Sequence, residues 1–232
     1  DRNLNRALRD YPVPIDHEDR VANVLCPLLR AHDVLIDLHS FAAEGPAFAL
    51  LGPKVADTLE PRVQAATERA LVAALDLPFA VYGWMPAHLA VLRTQGREAD
   101  IGHAVGTTEF MRFVGGAAIT VECGQHKDPA AIQVAYDVIA RGLAQLGLIR
   151  SGANPPQPPV LLQIGEAIFA ESDDDRLVRH FPTGAQVHQG EVIGTRASGA
   201  QIIAPHDGAV IFASGAVQAG TELCFLCRPD PR

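Results

Sequence analysis

Two short apolar segments constrain the fold of this chain more than any other feature of its sequence. VLIDLHS at 34–40 and GGAAITVECG at 115–124 combine apolar and β-branched residues, which is the pattern of strands buried on both faces. Apolar residues at helical spacing occur in three other segments, at 18–31, 61–76 and 128–146. In the last segment, the predicted apolar stripe consists of Ile132, Ala135, Tyr136, Ile139, Leu143 and Leu146. Apolar strands that alternate with such helices predict an α/β domain with a largely parallel sheet.

A proline-rich segment, SGANPPQPP at 151–159, divides the chain. Repeated prolines stiffen a chain and prevent helix formation, so we interpret this segment as a linker. Beyond it, short β-like runs alternate with turns that contain Gly, Pro or Asp, which predicts a small all-β domain at 160–232. The expected organisation is therefore an α/β domain at 1–150, followed by the linker and the β domain.

Composition excludes several classes of partner. The 232 residues carry a net charge of −8 and are 48% hydrophobic, which argues against nucleic acid or an anionic membrane as the main partner. The four cysteines are too sparse for a disulfide scaffold, so we expect a cytoplasmic location. Cys224 and Cys227 form a CxxC, but residues three apart on a strand point to opposite faces. We therefore interpret them as core residues rather than a metal or redox pair.

Ionisable residues stand near the carboxyl ends of both predicted strands. His39 ends the first strand, where open parallel sheets bind ligands, and Asp37 shares its face. Such a histidine is a candidate metal ligand or base, with a structural core histidine as the alternative. Glu122 lies near the end of the second strand. Burial there favours a raised pKa and a role as general base, and the alternative is a glutamate that pairs with an arginine at the sheet edge.

Two further patterns carry weaker signals. Arg6 and Arg112 suit recognition of a substrate carboxylate if they converge on one pocket, although a single arginine is more commonly a surface charge. His188 and Glu191 form an HxxE, which is a zinc-ligand spacing. That motif lies in a turn that contains Gly190, between predicted strands of the β domain. We interpret it as a turn rather than a metal site.

Three motifs in a fixed order resemble a known family. NLNR at 3–6, DLHS at 37–40 and TVECGQ at 120–125 resemble the succinylglutamate desuccinylase/aspartoacylase family, zinc hydrolases related in fold to the zinc carboxypeptidases. The resemblance covers about 1–150. It implies a zinc-carboxypeptidase-like, mostly parallel sheet with helices on both faces. The rest of the chain resembles the barrel-sandwich domain, similar to biotinyl and lipoyl domains, that follows in many members.

The resemblance also implies an activity and residue roles. Family members of this kind hydrolyse the amide bond of an N-acyl amino acid, a small-molecule substrate, with one zinc ion. His39 corresponds to a zinc ligand, and Glu122 corresponds to the general base. Asn5, Arg6 and Arg112 correspond to substrate-binding residues.

One part of the family pattern is absent from the sequence. The other two zinc ligands of the family come from an HxxE motif upstream of NLNR, whereas this chain starts at Asp1. We expect a further N-terminal segment to supply them, and a degenerate relative is the alternative. Asn3 stands where relatives such as aspartoacylase have Asp, which affects the turn rather than the Asn-Arg pair that follows it.

Other functions remain open at the level of sequence. The chain could instead be a zinc carboxypeptidase-like peptidase or a catalytically inactive binding relative. A biotinyl or lipoyl carrier is excluded on chemical grounds, because residues 151–232 contain no lysine to modify. The sequence specifies neither the acyl group nor the amino acid, and it leaves a homo-oligomer open.

Overall fold

The first part of the chain alternates helices and strands, and the second part is entirely β. The computed structural model describes residues 3–6, 8–53, 64–94, 96, 105–150, 155–215 and 217–230. The helices are a 3₁₀ turn at Leu4–Arg6, α1 His17–Arg30, α2 Ala65–Ala74, α3 Trp84–Thr94, α4 Thr107–Phe113 and α5 Ala130–Gln145. The strands are β1 Val34–Phe41, β2 Phe48–Leu50, β3 Phe79–Tyr82, β4 Ala117–Gln125, β5 Val160–Phe169, β6 Arg176–Leu177, β7 Ala185–Val187, β8 Val192–Thr195, β9 Gln201–Ile203, β10 Gly208–Ile211 and β11 Glu222–Pro229.

One large sheet runs through both parts of the chain. Its strand order is β1-β4-β2-β3-β5-β11-β10-β7. From β1 to β5, three of the four strand pairs are parallel, and only β2 with β4 is antiparallel. This confirms the expected α/β fold with a mostly parallel sheet. From β5 to β7 all pairs are antiparallel.

Strand β5 joins the two parts by hydrogen bonding. It pairs in parallel with β3 and in antiparallel with β11, so the sheet continues past the proline-rich segment. A second sheet of order β6-β8-β9 lies in the β part, whose strands enclose their own hydrophobic cluster around Phe181 and Leu223. The separate barrel-sandwich domain expected from the resemblance stays a prediction.

The expected elements at 18–31, 34–40, 115–124 and 128–146 are confirmed as α1, β1, β4 and α5. The helix expected at 61–76 is described from Ala65 onward, and Pro61 lies outside the described residues.

The predicted apolar stripe of α5 is wrong in part. Ile132 and Tyr136 are 77% and 68% exposed, whereas Val138 and Gly142 are buried. The helix approaches the sheet through its small residues, because a Cβ at Gly142 would lie 2.5 Å from Ile36 Cδ1. Because the backbone of α5 lies close to the sheet at Gly142, the buried face of the helix is narrower than the hydrophobic pattern alone predicts.

The two cysteines of the CxxC pack in different places. Cys224 belongs to the cluster inside the β part, whereas Cys227 packs with Phe48 and Phe79 at the junction of the two parts. Both thiols are free, and burial raises the pKa of each to about 12. Their interpretation as core residues is confirmed.

The HxxE of the β part forms a turn, as expected. The His188 N–H donates to the Glu191 carboxylate at 3.0 Å, and Gly190 adopts a φ of +84°. A positive φ of this size favours glycine, so the sequence pattern follows from the turn.

None of the described helices is both long and apolar enough to cross a membrane.

An aromatic cluster stabilises the junction of the two parts. The Phe48 side chain is fully buried, and its ring centroid lies 5.0 Å from that of Phe79 and 5.3 Å from that of Phe212. We predict that Phe48→Ala lowers the free energy of unfolding by about 3–5 kcal/mol, because it leaves a cavity at this junction. Chemical denaturation measures the change.

The exposed Ile132 supplies the control for this prediction. Ile132→Ala should change stability by no more than about 0.5 kcal/mol. Equal effects of the two variants would contradict the assignment of Phe48 to the core.

Candidate active site

The pairing of β1 with β4 brings the two main candidate residues together. In this parallel pair, His39 is the register partner of Glu122, and Asp37 is the partner of Thr120. Paired residues of parallel strands point to the same face of the sheet. His39, Thr120 and Glu122 line one cavity of about 790 Å³. The structure therefore places His39 and Glu122 at one cavity, and the roles expected of them stay predictions.

Glu122 is a buried carboxyl group without a full set of partners. Its side chain is 7% exposed, and among the described residues its Oε2 atom has no hydrogen-bond partner. Burial raises the pKa of Glu122 to about 7, while His39 opposes the shift and Asp37 adds to it. Such a group both accepts and releases a proton near neutral pH, which is what a general acid–base catalyst needs.

Asp37 orients the histidine. The Nε2 atom of His39 lies 3.0 Å from Oδ2 of Asp37, and the Thr107 hydroxyl donates to the same oxygen. Burial alone would raise the pKa of Asp37, but the hydrogen bonds from His39 and Thr107 outweigh it and hold the pKa below its ordinary value. The ionised carboxylate therefore fixes the imidazole ring over the cavity.

The opening segment of the chain is anchored beside this pair. The Thr107 N–H donates to Oδ1 of Asn5 at 2.9 Å, at the start of α4. A Cβ at Gly106 would lie 2.3 Å from the same oxygen, so a glycine is needed for this approach. Asn3 and Asn5 both line the cavity. The side chain of Arg6, the other predicted residue of this segment, lies outside the part of the chain that the structure describes.

Arg112 lies at the cavity but is held in a buried ion pair. Its Nε donates to Glu68 at 2.7 Å, and its Nη2 donates to the Ala118 carbonyl at 2.6 Å. Glu68 also accepts the backbone N–H groups of Gly52 and Ala118. The guanidinium thus links α2, α4 and β4, and its role in binding a substrate carboxylate stays a prediction.

A further part of the cavity lining was missed by the sequence analysis. It consists of Trp84 from α3 and of residues from the end of the chain, namely Phe212, Ser214, Val217, Gln218, Thr221, Glu222 and Phe225. Trp84 is the single tryptophan of the chain, so the sequence alone could have singled it out as a candidate site residue. The others carry no motif, because only the return of β11 to the sheet brings them to the cavity.

The side chains near His39 that could coordinate a metal show whether the zinc ion implied by the resemblance fits this site. A catalytic zinc ion takes about three protein ligands and one open position. Among the described residues, no group of three or more His, Cys, Asp or Glu side chains is arranged to hold a metal ion. These residues alone therefore do not form a zinc site, and His39 as a zinc ligand stays a prediction.

Comparison with known proteins supports the fold of this site. No family model and no curated protein matches the sequence. The succinylglutamate desuccinylase/aspartoacylase from Rhodobacter sphaeroides matches the structure with a TM-score of 0.74 at 18% identity, over 100% of this chain and 69% of that protein. This chain has the succinylglutamate desuccinylase/aspartoacylase fold.

Other structures with this fold give similar agreement. The ectoine utilization protein EutE (DoeB) from Ruegeria pomeroyi has a TM-score of 0.72 at 18% identity, over 97% of this chain and 67% of that protein. An aspartoacylase family protein from Mesorhizobium loti has a TM-score of 0.67 at 21% identity, over 100% and 68%. The chain thus spans about two thirds of the length of these proteins. The fold expected from the three motifs is confirmed.

Substitution of Arg112 tests its structural role. Arg112→Ala leaves the buried Glu68 carboxylate without its cation, so we expect a loss of about 3–5 kcal/mol in the free energy of unfolding. Arg141 is the matched control, because its pair with Asp76 at 3.1 Å is partly exposed. Arg141→Ala should cost no more than about 1 kcal/mol.

The measurement is urea denaturation of both variants. If Arg112→Ala proves as stable as the wild type, the ion pair with Glu68 is not what holds this arginine in place.

Proposed function

We propose that the cavity is the active site of a hydrolase that cleaves the amide bond of an N-acyl amino acid. One observation carries the proposal: the buried carboxyl group of Glu122 lies beside His39 in a large cavity, with one oxygen unpartnered and a pKa raised to about 7. The fold supports it, because the similar structures include desuccinylase and aspartoacylase proteins. The activity of the whole protein, including its small-molecule substrate and cytoplasmic location, is part of this proposal.

Glu122 moves the proton in this mechanism. Its carboxylate takes a proton from a water molecule as the water oxygen forms a bond to the acyl carbonyl carbon. The same proton then passes to the amide nitrogen as the C–N bond breaks. The products are a carboxylic acid and a free amino acid, and Glu122 returns to its starting charge. A pKa near 7 suits both transfers, because the group is neither too weak a base nor too weak an acid.

The other site residues would bind and orient. Asp37 fixes the His39 ring beside Glu122, and Asn5 presents its amide group to the same cavity. Arg6 and Arg112 are the proposed contacts for a substrate carboxylate, since guanidinium groups bind carboxylates with two parallel hydrogen bonds. Zinc dependence is inferred from the resemblance alone, with His39 as one ligand.

The substitution Glu122→Gln tests the proposed base. We expect it to lower the rate of hydrolysis of N-acetyl and N-succinyl amino acids by about 100-fold or more, because an amide side chain cannot accept the proton. Release of the free amine, measured on the natural full-length protein, follows the reaction. The control is Glu166→Gln, the same chemical change at an exposed glutamate of β5 that does not line the cavity.

Two results would contradict the proposal. One is an active Glu122→Gln variant, and the other is a wild-type protein that releases no amine from any acylated amino acid. Faster cleavage of an unmodified dipeptide than of its acylated counterparts would instead indicate a peptidase.

A further inference from the structure

We propose that the part of the cavity lined by Glu222, Trp84, Phe212 and Phe225 is a cation-accepting subsite. The amino acid released by the enzyme would then carry a primary ammonium group on its side chain. The inference rests on the proposed function, because it names the substrate class of that site. It adds a specificity-determining residue, Glu222, that neither the sequence motifs nor the resemblance pointed to.

An irregularity in β11 is what turns Glu222 toward the cavity. In the pairing with β5, Glu222 stands opposite Phe169 and Cys224 stands opposite Ile168. Two steps along β11 therefore match one step along β5, and Leu223 is the extra residue of a β-bulge. Bulges of this kind occur beside active sites, where they redirect a side chain.

The packing of the neighbouring residues confirms this change of face. Phe225 and Cys227 pack at the junction with the α/β part, whereas Cys224 and Leu226 pack inside the β part. Regular alternation would place Leu223 with Phe225. Leu223 packs instead with Cys224 and Leu226. Glu222 is thereby brought to the side of Phe225, and both line the cavity.

Three aromatic rings line the same cavity as this carboxylate. The ring centroid of Trp84 lies 5.3 Å from that of Phe225 and 6.0 Å from that of Phe212, and all three residues line the cavity. The faces of aromatic rings attract cations such as ammonium groups. A carboxylate together with such rings favours a cation over a neutral or anionic group.

Phe212 is held in an unusual conformation at this position. Its φ is +51°, in the left-handed region that a bulky residue rarely adopts. Its N–H donates to the Thr183 hydroxyl at 3.2 Å, and its ring packs against Trp84 and Phe225 among others. Strain that the surrounding structure maintains is characteristic of ligand-binding positions.

The charges of the cavity favour the same ligand. Within the described part of the chain, the Glu222 carboxylate has no hydrogen-bond or ion-pair partner. The Glu109 carboxylate, by contrast, accepts the Gly106 N–H and lies 3.8 Å from Arg112. A substrate side chain that ends in a carboxylate would meet repulsion at Glu222, whereas an ammonium group would find a counter-ion there.

Binding of three free amino acids tests the subsite without any need for turnover. Ornithine and norvaline have the same three-carbon side chain and differ by the terminal ammonium, and glutamate ends in a carboxylate. Isothermal titration calorimetry on the natural full-length protein should show ornithine binding about tenfold or more tighter than norvaline, and glutamate weakest. Glu222→Gln should reduce the ornithine preference to less than about threefold, and Glu166→Gln should retain it.

The possible failures are distinguishable. Equal binding of ornithine and norvaline, a preference that survives Glu222→Gln, or no binding of any of the three overturns the subsite. Hydrolysis of Nα-acetylornithine and Nα-acetylnorvaline is measured in parallel. Cleavage of both with equal kcat/KM overturns the subsite and leaves the proposed function standing. An ornithine preference in binding with no cleavage of either overturns the proposed function instead.

Discussion

The parallel pairing of β1 with β4 is the constraint on which the rest of the site depends. Its register sets His39 beside Glu122 on one face of the sheet and leaves Ile36 and Leu38 to pack under α5 on the other. A shift of one residue would reverse every side chain of a strand. It would bury the His39–Asp37 pair in the apolar cluster under α5, so the hydrophobic packing of one face fixes the polar geometry of the other.

The β part completes the lining of the cavity. Strand β5 extends the sheet, and β11 returns beside it with Phe225 and Glu222 directed to the cavity. The cluster around Phe48, Phe79 and Phe212 stabilises this junction. This hydrophobic cluster therefore holds the aromatic part of the cavity lining against the strands that carry His39 and Glu122, which couples the stability of the fold to the shape of the cavity.

The sequence was most informative where local pattern and chemistry coincide. His39 and Glu122 could be placed at one site, because each follows a short apolar run and parallel strands end at the same edge. Arg112 was recognised, but its partner Glu68 lies 44 residues away and no pattern links them. Glu222 was missed because its orientation depends on one extra residue in β11. The exposed residues of α5, such as Ile132 and Tyr136, were predicted to be buried. Hydrophobic periodicity does not show which side of a wide apolar face packs against the sheet.

Burial at the cavity keeps the Glu122 carboxyl able to exchange a proton near neutral pH, and the proposed chemistry depends on this property. A direct test is the titration of this carboxyl by ¹³C NMR, with its signal assigned by its absence from the spectrum of Glu122→Gln. We expect a pKa of about 7 for Glu122. Titration at the ordinary carboxyl value of 4.5 would show that burial at the cavity does not shift this group.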